Sequence, residues 1–293
     1  MYKKKLPDIT KNTDVQKLIK AALKEDLGKY GDITTNGLFP DRFILPEVCA
    51  AIITREECIL SGVKIAAMCF TEVDPSLKIK ILAKDGERLM PNHQVMLIHG
   101  NIHGILAAER VALNFMQRMC GIATLTHSFV KIAAPYNIKI LDTRKTTPLL
   151  RVLEKYAVLC GGGSNHRMGL FDMFLIKDNH RFFWRKYTGA PLRDAICKLR
   201  HYRKDLKIEI EVETLKEIDD VLIANPDWVL LDNFPINLLK KCVRKINKKV
   251  KVEYSGGVTL TKLKKIVRSG IDAVSIGSLT HSARAIDISL ELL

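Results

Sequence analysis

Six short apolar runs in the second half of the chain, each followed at once by polar or glycine residues, restrict the fold more than any other feature. They occupy residues 138–141, 173–176, 208–212, 228–231, 250–254 and 273–276, with helical or loop stretches between them. Short β-type runs alternating with helical stretches are the pattern of βα units, which build parallel sheets. A seventh run at 157–160 fits strand or helix. Behind the runs stand Asp142-Thr143-Arg144-Lys145-Thr146, Lys177-Asp178-Asn179-His180, Asp232-Asn233, Ser255-Gly256-Gly257 and Gly277-Ser278. Chemically useful groups thus collect at strand C-termini, where a (β/α) barrel builds its active site and where its last two loops often hold phosphate. An open doubly wound sheet also binds ligands at strand C-termini and is the competing architecture.

The first third has a different texture. Helical spacing of Val15, Leu18, Ile19, Ala22 and Leu23 predicts a helix over 14–27, capped by Asp14 and stopped by Gly28. β-rich segments follow at 49–54, 77–83 and 94–100, and a long helix over 105–120 is expected to end before Gly121. This mixture predicts an α+β module ahead of the βα series.

A chain of 293 residues accommodates one long α/β domain or two domains. With 47% hydrophobic and 27% charged residues it is an ordinary globular composition rather than a disordered one. No apolar run reaches the ~18–20 residues of a membrane span, and the first residues lack the apolar segment of a signal peptide, so a cytoplasmic protein without a membrane role is expected. Seven scattered cysteines with no C-x-x-C pair suggest neither a disulfide framework nor a thiolate zinc site. The net charge of +15 favours anionic partners. Its basic runs, at 3–5, 198–207 and 240–251, read as solvated faces, because Tyr202 is nearly the only aromatic among them to stack on a base. Nucleic acid is therefore not an expected partner.

The two glycine turns, Ser255-Gly256-Gly257 and Gly277-Ser278, would let backbone N–H groups approach phosphate oxygens. Either alone reads equally well as a tight βα turn; both together at the end of a βα series favour phosphate. Between residues 142 and 180 lie Arg144, Lys145, Arg151, Arg167 and Lys177 with His166 and His180, a cluster suited to a ligand with several anionic groups. Arg151, at helical spacing from Glu154 and Lys155, also fits a surface ion pair. Gly161-Gly162-Gly163 is not a Walker loop and would let a loop fold over a ligand. His166, His180 and His281 sit in separate loops, against a His-ligated transition metal. Glu211 and Asp232, at the ends of successive runs, suit Mg²⁺ or ribose hydroxyls, or simply neutralise nearby cations. Glu209 shares a face with Glu211, Glu213 lies near the turn, and spacing does not choose among the three.

The stretch from Asp142-Thr143-Arg144-Lys145-Thr146-Thr147-Pro148 through Leu153-Glu154-Lys155-Tyr156-Ala157-Val158, Asn165-His166-Arg167 and Leu175-Ile176-Lys177-Asp178-Asn179-His180 closely resembles the quinolinate phosphoribosyltransferase family. Glu25-Asp26-Leu27-Gly28, Glu109-Arg110-Val111-Ala112-Leu113-Asn114, Leu231-Asp232-Asn233 and Thr280-His281-Ser282 extend the resemblance over nearly the whole chain. It implies an α/β fold with an N-terminal α+β domain (1–118), an open (β/α) barrel of about seven strands (119–279) and a C-terminal segment (280–293) packing back on the first domain. It implies a homodimer with shared active sites, a higher oligomer also being compatible. Quinolinate and phosphoribosyl pyrophosphate are the implied substrates, Mg²⁺ the cofactor, and nicotinate mononucleotide, pyrophosphate and CO₂ the products of a step in NAD biosynthesis. By motif match Arg110 comes from the neighbouring subunit to join Thr143, Arg144, Lys145, His166 and Arg167 at quinolinate. Lys177 faces the phosphoribosyl donor, Glu211 and Asp232 its ribose and Mg²⁺, and Ser255, Gly256, Gly257, Gly277 and Ser278 its phosphate; Lys145, Lys177, Glu211 and Asp232 are the expected catalytic groups. Leu149 stands where the family often has Gly, Ser278 where Ala is common, and Tyr254 where a small residue is usual, crowding the phosphate turn. Two other readings compete: a molybdenum-transport-associated paralogue acting on an unknown pyridine-like substrate, and a basic nucleic-acid-binding protein.

Overall fold

The computed structural model describes residues 6–39 and 46–293, so the basic run at 3–5 lies outside the described residues. In chain order the elements are α1 (Thr13–Leu27), α2 (Ile33–Leu38), β1 (Val48–Thr54), β2 (Cys58–Ile59), α3 (Val63–Val73), β3 (Lys78–Ile81), β4 (Arg88–Leu89), β5 (Gln94–Gly100) and α4 (Ile102–Ala133). Then follow β6 (Lys139–Leu141), α5 (Arg151–Cys160), β7 (Phe174–Ile176), α6 (Asp178–Thr188), α7 (Leu192–Tyr202), β8 (Ile208–Val212) and α8 (Glu217–Ala224). The chain continues through β9 (Trp228–Asp232), α9 (Ile236–Ile246), β10 (Lys251–Ser255), α10 (Leu260–Ile266), β11 (Ala273–Ser275), a single helical turn over Ser278–His281, and β12 (Ile288–Leu292). Two compact units result, one made of Met1–His127, Thr146–Gly162 and Leu279–Leu293, the other of Ser128–Lys145 and Gly163–Ser278.

The first unit carries an antiparallel sheet in the order β12-β1-β5-β3. In β1, Ala50, Ala51 and Ile52 are wholly buried between neighbouring strands. α1 forms because Val15, Ile19 and Leu23 repeat every four residues and bury one stripe. Its cap is Asn12 rather than the expected Asp14: the Asn12 side chain accepts the N–H groups of Asp14 and Val15, which already lie inside the helix. The second long helix also departs from expectation, running through Gly121 to Ala133. A Cβ at Gly121 would stand 1.9 Å from the Arg284 carbonyl oxygen, so this glycine serves close passage of a neighbouring strand of chain, not termination. The Gly161 to Gly163 segment likewise differs from a ligand-covering loop. Gly161 ends α5, and a Cβ there would lie 2.4 Å from the Ala123 carbonyl oxygen, which makes it a packing residue.

The second unit is a parallel sheet in the order β6-β11-β10-β9-β8-β7. Consecutive strands are neighbours, and β6, first in sequence, pairs with β11, last in the series. That order is the one an α/β barrel requires; among the described residues β6 and β7 are not paired, and Leu141 of β6 makes a parallel bridge to Ser164, so the barrel is open between these two strands. The ambiguous run at 157–160 is not a strand but part of α5, where Leu153, Ala157 and Val158 bury a helical face. Along β8 every residue is buried: Ile208, Ile210 and Val212 alternate with Glu209 and Glu211, whose carboxylates share one face.

Candidate active site

The second unit gathers most of the expected residues at its strand C-termini. Asp142, fully buried after β6, accepts the backbone N–H of His166 at 2.9 Å and the Asn165 side-chain amide at 2.5 Å. The next residues, Arg144 and Lys145, are exposed, and the Lys145 N–H donates to Thr143 Oγ1 at 3.0 Å, a turn that lifts both cations off the sheet. Arg167 donates through Nη1 to the Met173 carbonyl at 3.2 Å. Burial, and after it the positive charge of Arg144, lowers its affinity for a proton. The Glu209 and Asp172 carboxylates act on Arg167 in the opposite sense, so Arg167 sits within reach of both the Arg144 cation and these acids.

Lys177 follows β7, half-exposed, with Nζ 3.8 Å from Glu211 Oε2. Its N–H donates to His180 Nδ1 at 3.1 Å, so His180 caps α6. Glu211 is 7% exposed; burial raises its proton affinity, Lys177 lowers it, and the Asp232 charge raises it again. Asp232 ends β9 beside Ser255 of β10. Glu213 is exposed in the turn, its N–H donating to Glu217, and its charge adds to those that raise the Glu211 proton affinity.

The turn after β10 is shaped by backbone conformation. Gly256 adopts φ +102° and Gly257 φ +53°, and a Cβ at Gly256 would meet Asn233 Oδ1 at 2.1 Å. Tyr254 does not crowd this turn as expected. Its ring is wholly buried, its hydroxyl donates to the Phe234 carbonyl at 3.0 Å, and the Lys262 ammonium lies 5.3 Å over its face while donating to the Gly256 carbonyl. Tyr254 thus supports the turn from beneath. Gly277 and Ser278 follow β11, the neighbour of β10.

Other expected residues lie in the first unit. Arg110 is on α4 with its side chain 62% exposed, 3.9 Å from Glu109. Arg151 donates to Thr146 Oγ1 at 3.0 Å, while the buried Glu154 carboxylate accepts from Arg118 and from the Thr147 N–H. Leu149, the residue standing for a family glycine, has φ +65° and is 87% exposed, a conformation that glycine adopts without the Cβ clash. A cleft of about 410 Å³ in this unit is lined by Glu25, Asp26, Phe115, Arg118 and Glu154 among others, and by none of the expected substrate residues.

One constellation was not foreseen. Among the described residues, the group of three metal-capable side chains whose donor atoms converge is His166, Glu209 and Glu253, not Glu211 with Asp232. His166 Nε2 is 3.0 Å from Glu209 Oε2 and 3.6 Å from Glu253 Oε2. Burial, then the Glu209 charge, raises Glu253 above the ordinary carboxylate range. The signal in sequence is an acid inside a buried strand, Val252-Glu253-Tyr254, on the same footing as Glu209 in β8.

Models of two family domains match the chain: the quinolinate phosphoribosyl transferase N-terminal domain over residues 32–120 and the C-terminal domain over residues 122–291. The chloroplastic nicotinate-nucleotide pyrophosphorylase (carboxylating) of Arabidopsis thaliana is 41% identical, the match covering 95% of this chain and 83% of that protein. A probable nicotinate-nucleotide pyrophosphorylase (carboxylating) of Bacillus subtilis is 36% identical over 95% of this chain and 93% of its own. The solved nicotinate-nucleotide pyrophosphorylase of Francisella tularensis superposes with a TM-score of 0.89 at 37% identity, covering 99% of this chain and 98% of that one.

Proposed function

This chain belongs to the quinolinate phosphoribosyltransferase family, and from that membership we propose how its residues divide the work of the reaction. The activity is decarboxylating phosphoribosyl transfer to quinolinate in NAD biosynthesis. In the proposal Arg144, Lys145 and Arg167 bind the two quinolinate carboxylates, with Thr143 shaping their turn. The observation that carries it is Asp142, which bonds the His166 N–H and the Asn165 amide and so ties the turn bearing Arg144 and Lys145 to the segment bearing Arg167, gathering three cations suited to two carboxylates. The glycine turns after β10 and β11 take the donor's phosphate through backbone N–H groups and hydroxyls of Ser255 and Ser278.

Attack of the ring nitrogen on the anomeric carbon passes through an oxocarbenium-like state, beside which Glu211 and Asp232 place negative charge and Lys177 faces the departing pyrophosphate. No covalent nucleophile is needed. The alkylated nitrogen then stabilises the electron pair left on the ring carbon as the adjacent carboxylate departs as CO₂, and that carbon takes a proton from water to give nicotinate mononucleotide, so Arg144, Lys145 and Arg167 need only hold the ring. Mg²⁺ fits Glu211 and Asp232 as hard oxygen donors: burial chiefly raises the Glu211 proton affinity, Lys177 lowers it and the Asp232 charge raises it, so a cation held by the two carboxylates would ease both the burial and the repulsion. Bound there, the ion would neutralise pyrophosphate charge.

A homodimer, with Arg110 supplied to the partner's site, completes the proposal. In its support, α6 buries no residue and displays Phe182, Phe183 and Tyr187 as an exposed aromatic set. No helix among the described residues is long and apolar enough to cross a membrane. The cytoplasm is the proposed compartment, and the cysteines, none in a disulfide, accord with a reducing one. The test is incubation with phosphoribosyl pyrophosphate, Mg²⁺ and either quinolinate or nicotinate. Nicotinate mononucleotide and CO₂ should form from quinolinate, and nicotinate, with one carboxylate, should turn over poorly; equal turnover of the two would defeat the carboxylate assignment. A salt-dependent affinity for nucleic acid without that turnover would favour the competing class.

A further inference from the structure

Glu209 and Glu253 lie outside this division of work, yet both are buried, at 1% and 2% exposure, and both converge on one imidazole. His166 Nδ1 accepts the backbone N–H of Arg167 at 2.7 Å. A neutral imidazole carries one N–H, so this bond places it on Nε2, which donates to Glu209 at 3.0 Å. Each ring nitrogen is then engaged within the protein, which fixes the orientation of the ring. The backbone beside the ring is held from the other side by Asp142, which accepts the His166 N–H and the Asn165 amide. Arg167 is therefore the half-buried end of a segment fixed at two successive residues, and its guanidinium lies within reach of the Arg144 charge.

The three side chains form one buried cluster. Burial, then the Glu209 charge, favours a proton on Glu253, whose carboxyl hydrogen-bonds to Glu209 while Glu209 holds the imidazole. In such a cluster the loss of any one member strands the others.

We propose that Glu209 and Glu253 are positioning residues for quinolinate: by clamping the His166 ring they fix residues 165–167 and set the Arg167 guanidinium at the site shared with Arg144. The proposal rests on the reading in which Arg167 binds a quinolinate carboxylate.

The test is steady-state kinetics of the full chain with the two substrates varied separately. Glu209→Leu should raise the quinolinate KM about tenfold or more and change that of phosphoribosyl pyrophosphate less than about twofold, with some loss of Tm because the buried His166 Nε2–H loses its acceptor. Glu209→Gln, whose amide oxygen still accepts from Nε2, should recover most of the loss. In an Arg167→Ala background the Glu209→Leu effect on quinolinate should vanish, because it acts through that arginine. Side-chain ¹⁵N shifts of His166 should show the Nε2–H tautomer with and without quinolinate. An unchanged quinolinate KM in folded Glu209→Leu, or equal losses toward both substrates, overturns the inference while leaving the Arg167 assignment standing. A quinolinate KM unchanged by Arg167→Ala itself takes both down. If Glu209→Leu does not fold, Glu253→Gln is measured in its place, with a severalfold rise in the quinolinate KM expected and no change decisive against the proposal.

Discussion

At the scale of single residues, the site is defined by charges placed where they are uncomfortable without ligand. Arg167→Ala removes one of the three cations gathered for the two carboxylates, so it should weaken quinolinate binding by about 2 kcal/mol, roughly thirtyfold in KM, without lowering Tm. Titration of quinolinate against the folded variant checks this. Glu56 in the first unit works the other way. Hydrogen bonds from Arg284 and from the Asp287 N–H hold its pKa down to about 2 from 4.5. Its folded pKa is depressed, so its contribution to stability is complete above pH 4.5 and lost as pH falls toward about 2. The Tm difference between wild type and Glu56→Gln should therefore be largest near neutrality and shrink through that acid window, as thermal melts at stepped pH would show. Sequence was enough to put Arg144, Glu211 and Asp232 at the ends of strands, and the structure has them there, because short apolar runs bounded by polar residues fix where a strand stops. It could not separate Glu209 from Glu211: alternation puts both on one face, and only depth in the sheet, set by the neighbouring strands, gives one of them to His166.

Elements were legible where their periodicity was undisturbed. β5 and β8 occupy the expected residues, and the other parallel strands lie within a residue of their runs. Errors came where a tertiary contact overrides a local signal, as when glycine at 121 admits the chain at Arg284 and the helix continues. The same geometry makes the turn after β10 a sharp test. At Gly256 an added Cβ would collide with Asn233 and would also sit at φ +102°. Gly256→Ala should raise the KM for phosphoribosyl pyrophosphate about tenfold or more and cost roughly 1–3 kcal/mol of stability, with a smaller effect on the KM for quinolinate. Separate KM measurements for the two substrates, beside a denaturation curve, would check it.

At the scale of the whole molecule, the proposed shared site makes a quantitative prediction. Arg110→Ala and Lys177→Ala should each be nearly inactive alone. If Arg110 serves the partner while Lys177 serves its own chain, a mixed dimer has one site with both lesions and one with neither. Random exchange of equal amounts should then restore about a quarter of wild-type activity, provided the sites act independently. Product formation after subunit exchange measures this, and no recovery despite demonstrated mixed dimers would place Arg110 in its own chain's site. Non-local pairing is also where sequence was least informative, since nothing in Val48–Thr54 announces that its edge partner is Ile288–Leu292. That pairing has a consequence during synthesis. β1 and β5 leave the ribosome long before β12, with the entire parallel sheet translated between them. At about 5–20 residues per second, the interval from Gly100 to Ile288 lasts roughly ten to forty seconds. Throughout it the nascent chain carries β1 with one edge of backbone N–H and C=O groups unclaimed, the kind of edge that recruits foreign strands. The first unit to be made is thus the last to be closed, and the newborn polypeptide is most in need of a chaperone while its second half is still being read.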